Sequence, residues 1–429
     1  MSAALPSAAM PGQAPGAVDR LQTATVLTVS NCDDSGPGSL RASLVGAANG
    51  AVVDMTGLAC STISLSTGAL IVQPPADNLT LNGPTDHALT ITGNDLGRVL
   101  VHNGEGTLTL DHVTVTHGSY TSGYYGGGCI YGYGSVALQH STVSNCTLNL
   151  PSGLWVKGGG IYAKGDLALT DSVVSGNQAI IGDGVLYAYG GGASIKGNLT
   201  CTRSSIRDNI SAGPSNKSLG GGAFVLGSVQ AYGCTISGNQ SGHSAGLQIY
   251  GSGTFTNSTI SGNSSTGTYA GIFIQHTLTL DHCTIAFNTH FQKTFGAGIF
   301  TVGNAVVMNS SIIARNASTQ NAANYDLAAA PTTSLSGSSN LITASNKTLP
   351  FGTISADPML APLASNGGAT RTHAPLPGSP AIDTGNNVHD LPWDQRGTGH
   401  PRVVGVESDI GAFELEADVI FANGFDGFN

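Results

Sequence analysis

Along most of the chain, apolar residues come in short alternating runs such as Leu79-Thr80-Leu81, Leu108-Thr109-Leu110 and Leu167-Ala168-Leu169, set off by polar and glycine-rich turns. Alternation with period two over so few residues predicts half-buried strands. With no amphipathic 3.6-residue pattern between them, an alternating βαβ fold is excluded. One unit runs from Gly158-Gly159-Gly160-Ile161-Tyr162 through Leu167-Ala168-Leu169 to Asp171-Ser172-Val173-Val174-Ser175-Gly176-Asn177, and its three segments recur in order. The branched position of the last segment falls at Val143, Val174, Ile206, Ile236, Ile260, Ile285 and Ile313, in steps of 31, 32, 30, 24, 25 and 28 residues. Such a period predicts a solenoid.

Two positions before each of these stands a small residue: Ser141, Ser172, Ser204, Cys234, Ser258, Cys283 and Ser311. Strand side chains alternate faces, so the small and the branched residue share the interior. Three positions after come Cys146, Asn177, Asn209, Asn239, Asn263, Asn288 and Asn316. Asn tolerates left-handed backbone, and stacked amides satisfy buried backbone groups from coil to coil, so an asparagine ladder at a left-handed turn is expected. The opposite edge carries glycine at 126–128, 158–160, 190–192 and 220–222, then Ala245-Gly246, Ala270-Gly271 and Gly296-Ala297-Gly298. Together these predict an all-β fold, a single-stranded right-handed parallel β-helix, its hand following the rule for parallel crossovers. Roughly ten coils ~4.8 Å apart make a rod ~50 Å long.

The order along the chain suggests a flexible leader over 1–21, an N-terminal cap over 22–75, coils over 76–345, a C-terminal cap over 346–416 and a terminal segment over 417–429. An open solenoid end exposes core and strand edges, so a cap is required there. After Asp34-Ser35-Gly36-Pro37-Gly38-Ser39, the residues Leu40, Leu44 and Ala47 or Ala48 fall on one helical face.

Two stretches resemble a known family. Asp34-Ser-Gly-Pro-Gly-Ser-Leu-Arg41 before an Ala-rich helix is similar to the opening of exported bacterial β-helix proteins with polymorphic outer-membrane protein-like repeats. The closing residues Asn366-Gly-Gly368, Thr372-His-Ala374, Pro377-Gly-Ser-Pro-Ala-Ile-Asp383, Asp394-Gln-Arg-Gly397, Arg402 and Asp409-Ile-Gly-Ala-Phe-Glu414 resemble in order the choice-of-anchor Q domain. The resemblance covers nearly the whole chain. It implies a pectin-lyase-like solenoid, secreted or held at a bacterial cell surface, from a family with no single assigned activity. Val419 to Asp426 is similar to a short terminal tag of exported Gram-negative proteins.

Composition narrows the partners. A formal charge of −10 with only 15 Lys and Arg argues against nucleic acid, which needs a basic stripe. No run of 18 apolar residues occurs, and no basic-then-apolar signal segment is visible at the start. Of seven cysteines, Cys32 and Cys60 flank the N-terminal cap and are expected to form a disulfide. Cys234 and Cys283 occupy the inward ladder and are expected to be free.

Candidate chemistry is sparse. No His/Cys spacing marks zinc and no carboxylate pair is placed for glycoside hydrolysis. Asp111, Asp171 and Asp281 are read as turn residues in one coil register. Asp383, Asp394, Asp409 and Glu414 offer oxygens for calcium, but Arg396 and Arg402 interleaved with them point to internal ion pairs. No other cofactor is implied. Eight of the twelve tyrosines lie between Tyr120 and Tyr189, with Trp155, Lys157 and Lys164 among them and Lys196 beyond. Aligned on the triple glycines, Tyr162 and Lys164 point outward on one coil, and Ser194 and Lys196 hold the same positions on the next. Lys164 is therefore expected over Lys196, with one pKa lowered or an anion between them. Trp155, Tyr131, Tyr162, Lys164 and Lys196 form a candidate strip for a polysaccharide or cell-surface glycan. The leading expectation is a non-catalytic face for adhesion or glycan contact. The alternative is a polysaccharide lyase in which a tyrosine or lysine takes a sugar C5 proton.

Overall fold

A computed structural model describes residues 24–122, 126–150, 155–182, 186–213, 217–292, 296–320 and 325–416. The expected leader 1–21, the terminal segment 417–429, and Tyr124 and Tyr125 of the tyrosine cluster lie outside the described residues. The chain coils into three long parallel sheets. Sheet 1 has 12 strands, from Val26–Thr28 to Ser334–Ser338; sheet 2 has 11, from Thr62–Ser64 to Leu341–Ile342; sheet 3 has 10, from Leu70–Val72 to Tyr325–Ala329. Each strand pairs in register with its counterpart one coil on, as Leu167–Thr170 does with Leu199–Thr202. Inward residues form one continuous core along the rod. Solenoid pairing already begins with Val26–Thr28 against Ala51–Asp54, inside the region expected as a cap. There the helix Leu40–Leu44 buries Leu40 and Leu44, its first turn capped by Ser39 Oγ accepting from Ala42 N–H.

The asparagine ladder stands at the corner after sheet 2. In it, Asn239 Oδ1 accepts from the N–H and Nδ2 of Asn209 at 3.0 Å, while its own Nδ2 donates to Ile206 O and Asn263 Oδ1 at 2.9 Å. The left-handed residue is not the asparagine but the one before it: Asn145, Gly176, Asp208, Gly238, Gly262, Phe287 and Arg315 all have φ between +54° and +66°. The amide is thereby turned inward, over the backbone. The ladder ends on Asp326, whose Oδ1 accepts from Asn316 N–H and Nδ2 at 2.8 and 3.0 Å; burial pushes this carboxyl's pKa upward. We expect Asn239→Ala to lower stability by about 1–3 kcal/mol, because two donors on Asn209 lose their acceptor. Chemical denaturation checks it through a lower midpoint at unchanged slope.

The glycine edge faces this ladder across a pinch in each coil. A Cβ on Gly160 would lie 2.7 Å from Asn177 Cγ, and Gly158 sits at φ +73°. Between ladder and glycines, successive coils each add a strand to a fourth sheet, and three of them make a longer excursion that carries a fifth. One has eight strands, including Thr147–Leu150 and Gln178–Ile181; the other has three, Trp155–Lys157, Tyr187–Tyr189 and Ser218–Leu219. They pack on each other through Leu148, Leu150, Val156, Ala179 and Ala188, making a fin outside the main core. The coils with the fin take 30–32 residues, and the three that follow take 24, 25 and 28.

The closing segment does not simply lid the end of the rod. After Ile354 pairs with Leu341, the chain runs back along the outer face of sheet 2. Thr235 Oγ donates to Arg371 O, Thr259 Oγ to Gln395 Oε1, and Gly411 N–H to Ser310 O, at 2.6 to 2.7 Å. A satellite core of Ile312, Ala314, Leu341, Ala381 and Ile410 joins the two layers. The acids and arginines of the segment are consumed by this packing. Arg402, fully buried, donates to Glu414 Oε2 at 2.8 Å, and Arg396 Nε to Asp394 Oδ2 at 2.9 Å. The Asp409 carboxylate accepts the backbone N–H groups of Asp383 and Leu415.

Cys32 and Cys60 are bonded, and so are Cys129–Cys146 and Cys201–Cys234. The expectation that Cys234 is free is therefore corrected. Cys234 sits inward at the corner of its coil with Cys201, inward on sheet 1 of the preceding coil, 6.3 Å away between Cα atoms. Cys283, buried, remains a thiol.

Candidate functional site

The outward-facing row of sheet 3 is mostly aromatic. In register it runs Tyr131, Tyr162, Ser194, Phe224, Gln248, Phe273 and Phe300. Tyr131 stacks on Tyr162 with ring centroids 5.6 Å apart, and Phe273 on Phe300 at 6.0 Å. Ser194 interrupts the row, leaving the space of one ring between Tyr162 and Phe224.

The fin stands beside this gap. Because Val156 and Ala188 point into the fin's core, their neighbours Trp155, Lys157, Tyr187 and Tyr189 project from the other face. Tyr189 lies 4.4 Å from Phe224, and Phe224 lies 5.4 Å from Tyr250. A groove of about 290 Å³ results, floored by Ser194 and Ile195 and walled by Trp155, Lys157, Tyr162, Tyr189, Lys196, Phe224, Leu226 and Tyr250.

The electrostatics differ from the sequence expectation. Lys164 does not stack over Lys196; its Nζ lies 3.4 Å from the centroid of Tyr133, away from the groove. The register would have set the two lysines side by side, but a cation over a ring face is the better partner for one of them. Lys196 instead faces Lys157, whose pKa is lowered by burial first and by Lys196 second. Tyr162 and Tyr131 are also not exposed, at 6% and 7%, since each covers the other. Burial, with Tyr131 beside it, pushes Tyr162 up to about 12; burial, with Tyr250 and Tyr187, does the same to Tyr189. Both phenols are neutral and unsuited as bases. The groove thus joins Trp155, Tyr162 and Lys196 but leaves out Lys164 and Tyr131, and it adds Lys157, Tyr189, Phe224 and Tyr250. Phe224 was accessible from the glycine alignment, and so was Tyr189, which stands directly before Gly190 as Lys157 does before Gly158.

Of two other arrangements, the first is closed to substrate and the second offers no free imidazole. Ser408 Oγ is 3.2 Å from His282 Nε2, and His282 Nδ1 is 2.9 Å from Asp281 Oδ1, the order of a nucleophilic triad. Yet Ser408 and His282 are 1% and 0% exposed, so the chain of contacts latches the closing segment to sheet 1. A hollow of about 500 Å³ lies between the sheet 2 corner and that segment, beside Phe287, Leu360 and His373. Both His373 nitrogens are occupied, at 2.7 Å, by Ser261 Oγ and Ala361 O. Asp171 is also not in register with Asp111 and Asp281. It stands one position later, level with His140 and Arg203 at the left-handed corner.

No family model matches the sequence, and no curated protein matches it. A solved structure similar to the chain is the crystal structure of pectate lyase Pel9A, with a TM-score of 0.45 and 11% identity over 91% of this chain and 97% of that one. No helix among the described residues is long and apolar enough to cross a membrane.

Proposed function

We propose that the groove at Ser194 binds an acidic polysaccharide, and that the protein is an exported β-helix presenting this face in a secreted or cell-surface setting. The observation that carries the reading is the single-ring gap in the aromatic row, edged by Lys157 and Lys196. A pyranose ring stacks on aromatic faces, and two ammonium groups lining one groove favour a carboxylate there. Three disulfides favour an oxidising compartment. The choice-of-anchor Q resemblance belongs to the same reading. Its motif residues Gln395, Arg396, Arg402 and Glu414 have a structural task in holding the closing segment on sheet 2, so they leave the groove to supply the specificity.

A lyase is the second reading, favoured by the lowered pKa of Lys157. In this reading Lys157, once it has lost its proton, would take the C5 proton of a uronate while Lys196 meets the carboxylate. The electron pair then forms the C4–C5 double bond and expels the C4 glycosidic oxygen, which ends as a hydroxyl.

Titration calorimetry with uronate polymers, followed by ultraviolet absorbance of unsaturated product, tests both. Ser194→Phe should make the aromatic row unbroken from Tyr131 to Phe224, fill the gap and weaken binding at least about tenfold with the fold unchanged, the loss of one ring contact and its space. Lys157→Ala with Lys196→Ala should weaken binding and flatten its salt dependence, while Lys164→Ala should do neither. Unchanged affinity in Ser194→Phe would place binding elsewhere, and binding without absorbance change would set the lyase reading aside.

A further inference from the structure

We propose that Asp111, His112 and His140 form a site for a first-row divalent metal ion of the zinc class, at the corner between sheets 1 and 2. This corner is a column of left-handed residues, one per coil, in which His112 (φ +54°), His140 (+45°), Asp171 (+47°) and Arg203 (+45°) follow one another. Coil stacking, not sequence spacing, brings the two histidines together. They are 28 residues apart, yet their rings stack with centroids 4.5 Å apart and planes 19° apart.

Asp111, the last residue of its sheet 1 strand, completes the cluster. Its Oδ1 is 2.7 Å from His112 Nδ1 and 3.2 Å from His140 Nδ1, and one ligand atom from each of the three residues falls within 4.8 Å of the others. His112 Nδ1 is shielded from water and has no hydrogen-bond partner despite its closeness to the carboxylate. A ring nitrogen in that state is better satisfied by a metal ion than by the groups around it. On the far side, His140 Nε2 faces Asp171 Oδ2 at 3.8 Å, and Arg203 Nε holds that carboxylate at 2.8 Å. With the ion held by Asp111 and the two Nδ1 atoms, Asp171 stands behind His140 Nε2 as an outer carboxylate, as in carboxylate–histidine–zinc arrangements.

Two imidazoles and a carboxylate suit zinc, nickel or copper rather than calcium, and three protein ligands leave a position open to water. Metal–nitrogen bonds of about 2.0–2.1 Å require the stacked rings to tilt toward each other. They have room, since the His140 side chain is 50% and that of His112 29% exposed. The site is remote from the groove in register and independent of the proposed glycan reading.

The test is calorimetric titration of the full, chelator-treated chain with zinc chloride near neutral pH, repeated with His140→Asn and Asp111→Asn. Asparagine suits the column because Asn257 occupies it at φ +46°. Saturable uptake of one ion per chain is expected, weakened at least about tenfold in each variant, with a zinc-induced rise in melting temperature that both variants lose. Absence of saturable uptake by the wild-type chain, or uptake of equal affinity in the two variants, would overturn the site. The corner would then hold nothing but imidazole–carboxylate contacts.

Discussion

Arg402→Ala is expected to destabilise the protein by about 3–5 kcal/mol, the cost of leaving a buried charge without its partner. The Arg402 side chain is fully buried, with its guanidinium donating to Glu414 Oε2 and to Gly411 O. Glu414 also accepts the N–H groups of Val404 and Asp409, so the carboxylate organises three strands of irregular chain at once. Burial pushes its pKa up to about 6, against the pull of Arg402, so it is ionised at neutral pH and would be stranded by the substitution. Arg402→Met combined with Glu414→Leu should recover much of the loss, since apolar replacements remove both desolvation penalties. Denaturant unfolding of the two single variants and the double variant measures the coupling. Limited proteolysis within 357–414 should show the segment releasing first. A loss under about 1 kcal/mol in Arg402→Ala would mean that water reaches Glu414 and that the closing segment is less firmly seated than its contacts imply.

The second large effect is expected on removing the Cys201–Cys234 bond. It closes a loop of 33 residues inside the core, and a cross-link of that span contributes about 2–4 kcal/mol, mainly by restricting the unfolded chain. Cys201→Ala with Cys234→Ser isolates this contribution. Serine is the resident of the same corner at Ser172, Ser204 and Ser258, where each hydroxyl donates to the carbonyl two residues back and accepts the N–H of the preceding coil. The double variant should therefore fold with the same coil register and melt several degrees lower. Alkylation of the native protein without reductant should label none of the six bonded cysteines. Labelling of Cys234 under those conditions would show the bond absent in solution.

Within one coil, nearly every strand and turn can be read from residue order alone. Branched residues at Val143 to Ile313, small residues two before them and asparagines three after them repeat because every coil meets the same neighbours above and below, so one local pattern is imposed many times. Even the fin is written in the step lengths, which fall from 30–32 to 24, 25 and 28 where it ends. The closing segment left a trace as well. On the outward row of sheet 2, hydroxyl residues such as Thr235 and Thr259 give way to Ile312 and Leu341, a face that must be covered.

The partnerships between side chains that no fixed spacing relates emerge only in the folded chain. Lys164 and Lys196 share a register, but register sets where a Cβ begins and not where a four-carbon chain ends. Tyr133 and Lys157 settled that. The histidines at 112 and 140 look unremarkable in a chain searched for short metal motifs, because the spacing that joins them is the coil length itself. The groove needs the fin folded beside sheet 3. The fin's strands repeat in step with the coils, but where they fold depends on packing between its two sheets, which no spacing along the chain specifies. In a solenoid, backbone periodicity is a local property readable along the chain. Its surface sites arise from contacts between coils and insertions, where chain direction and side-chain length decide which neighbour is met.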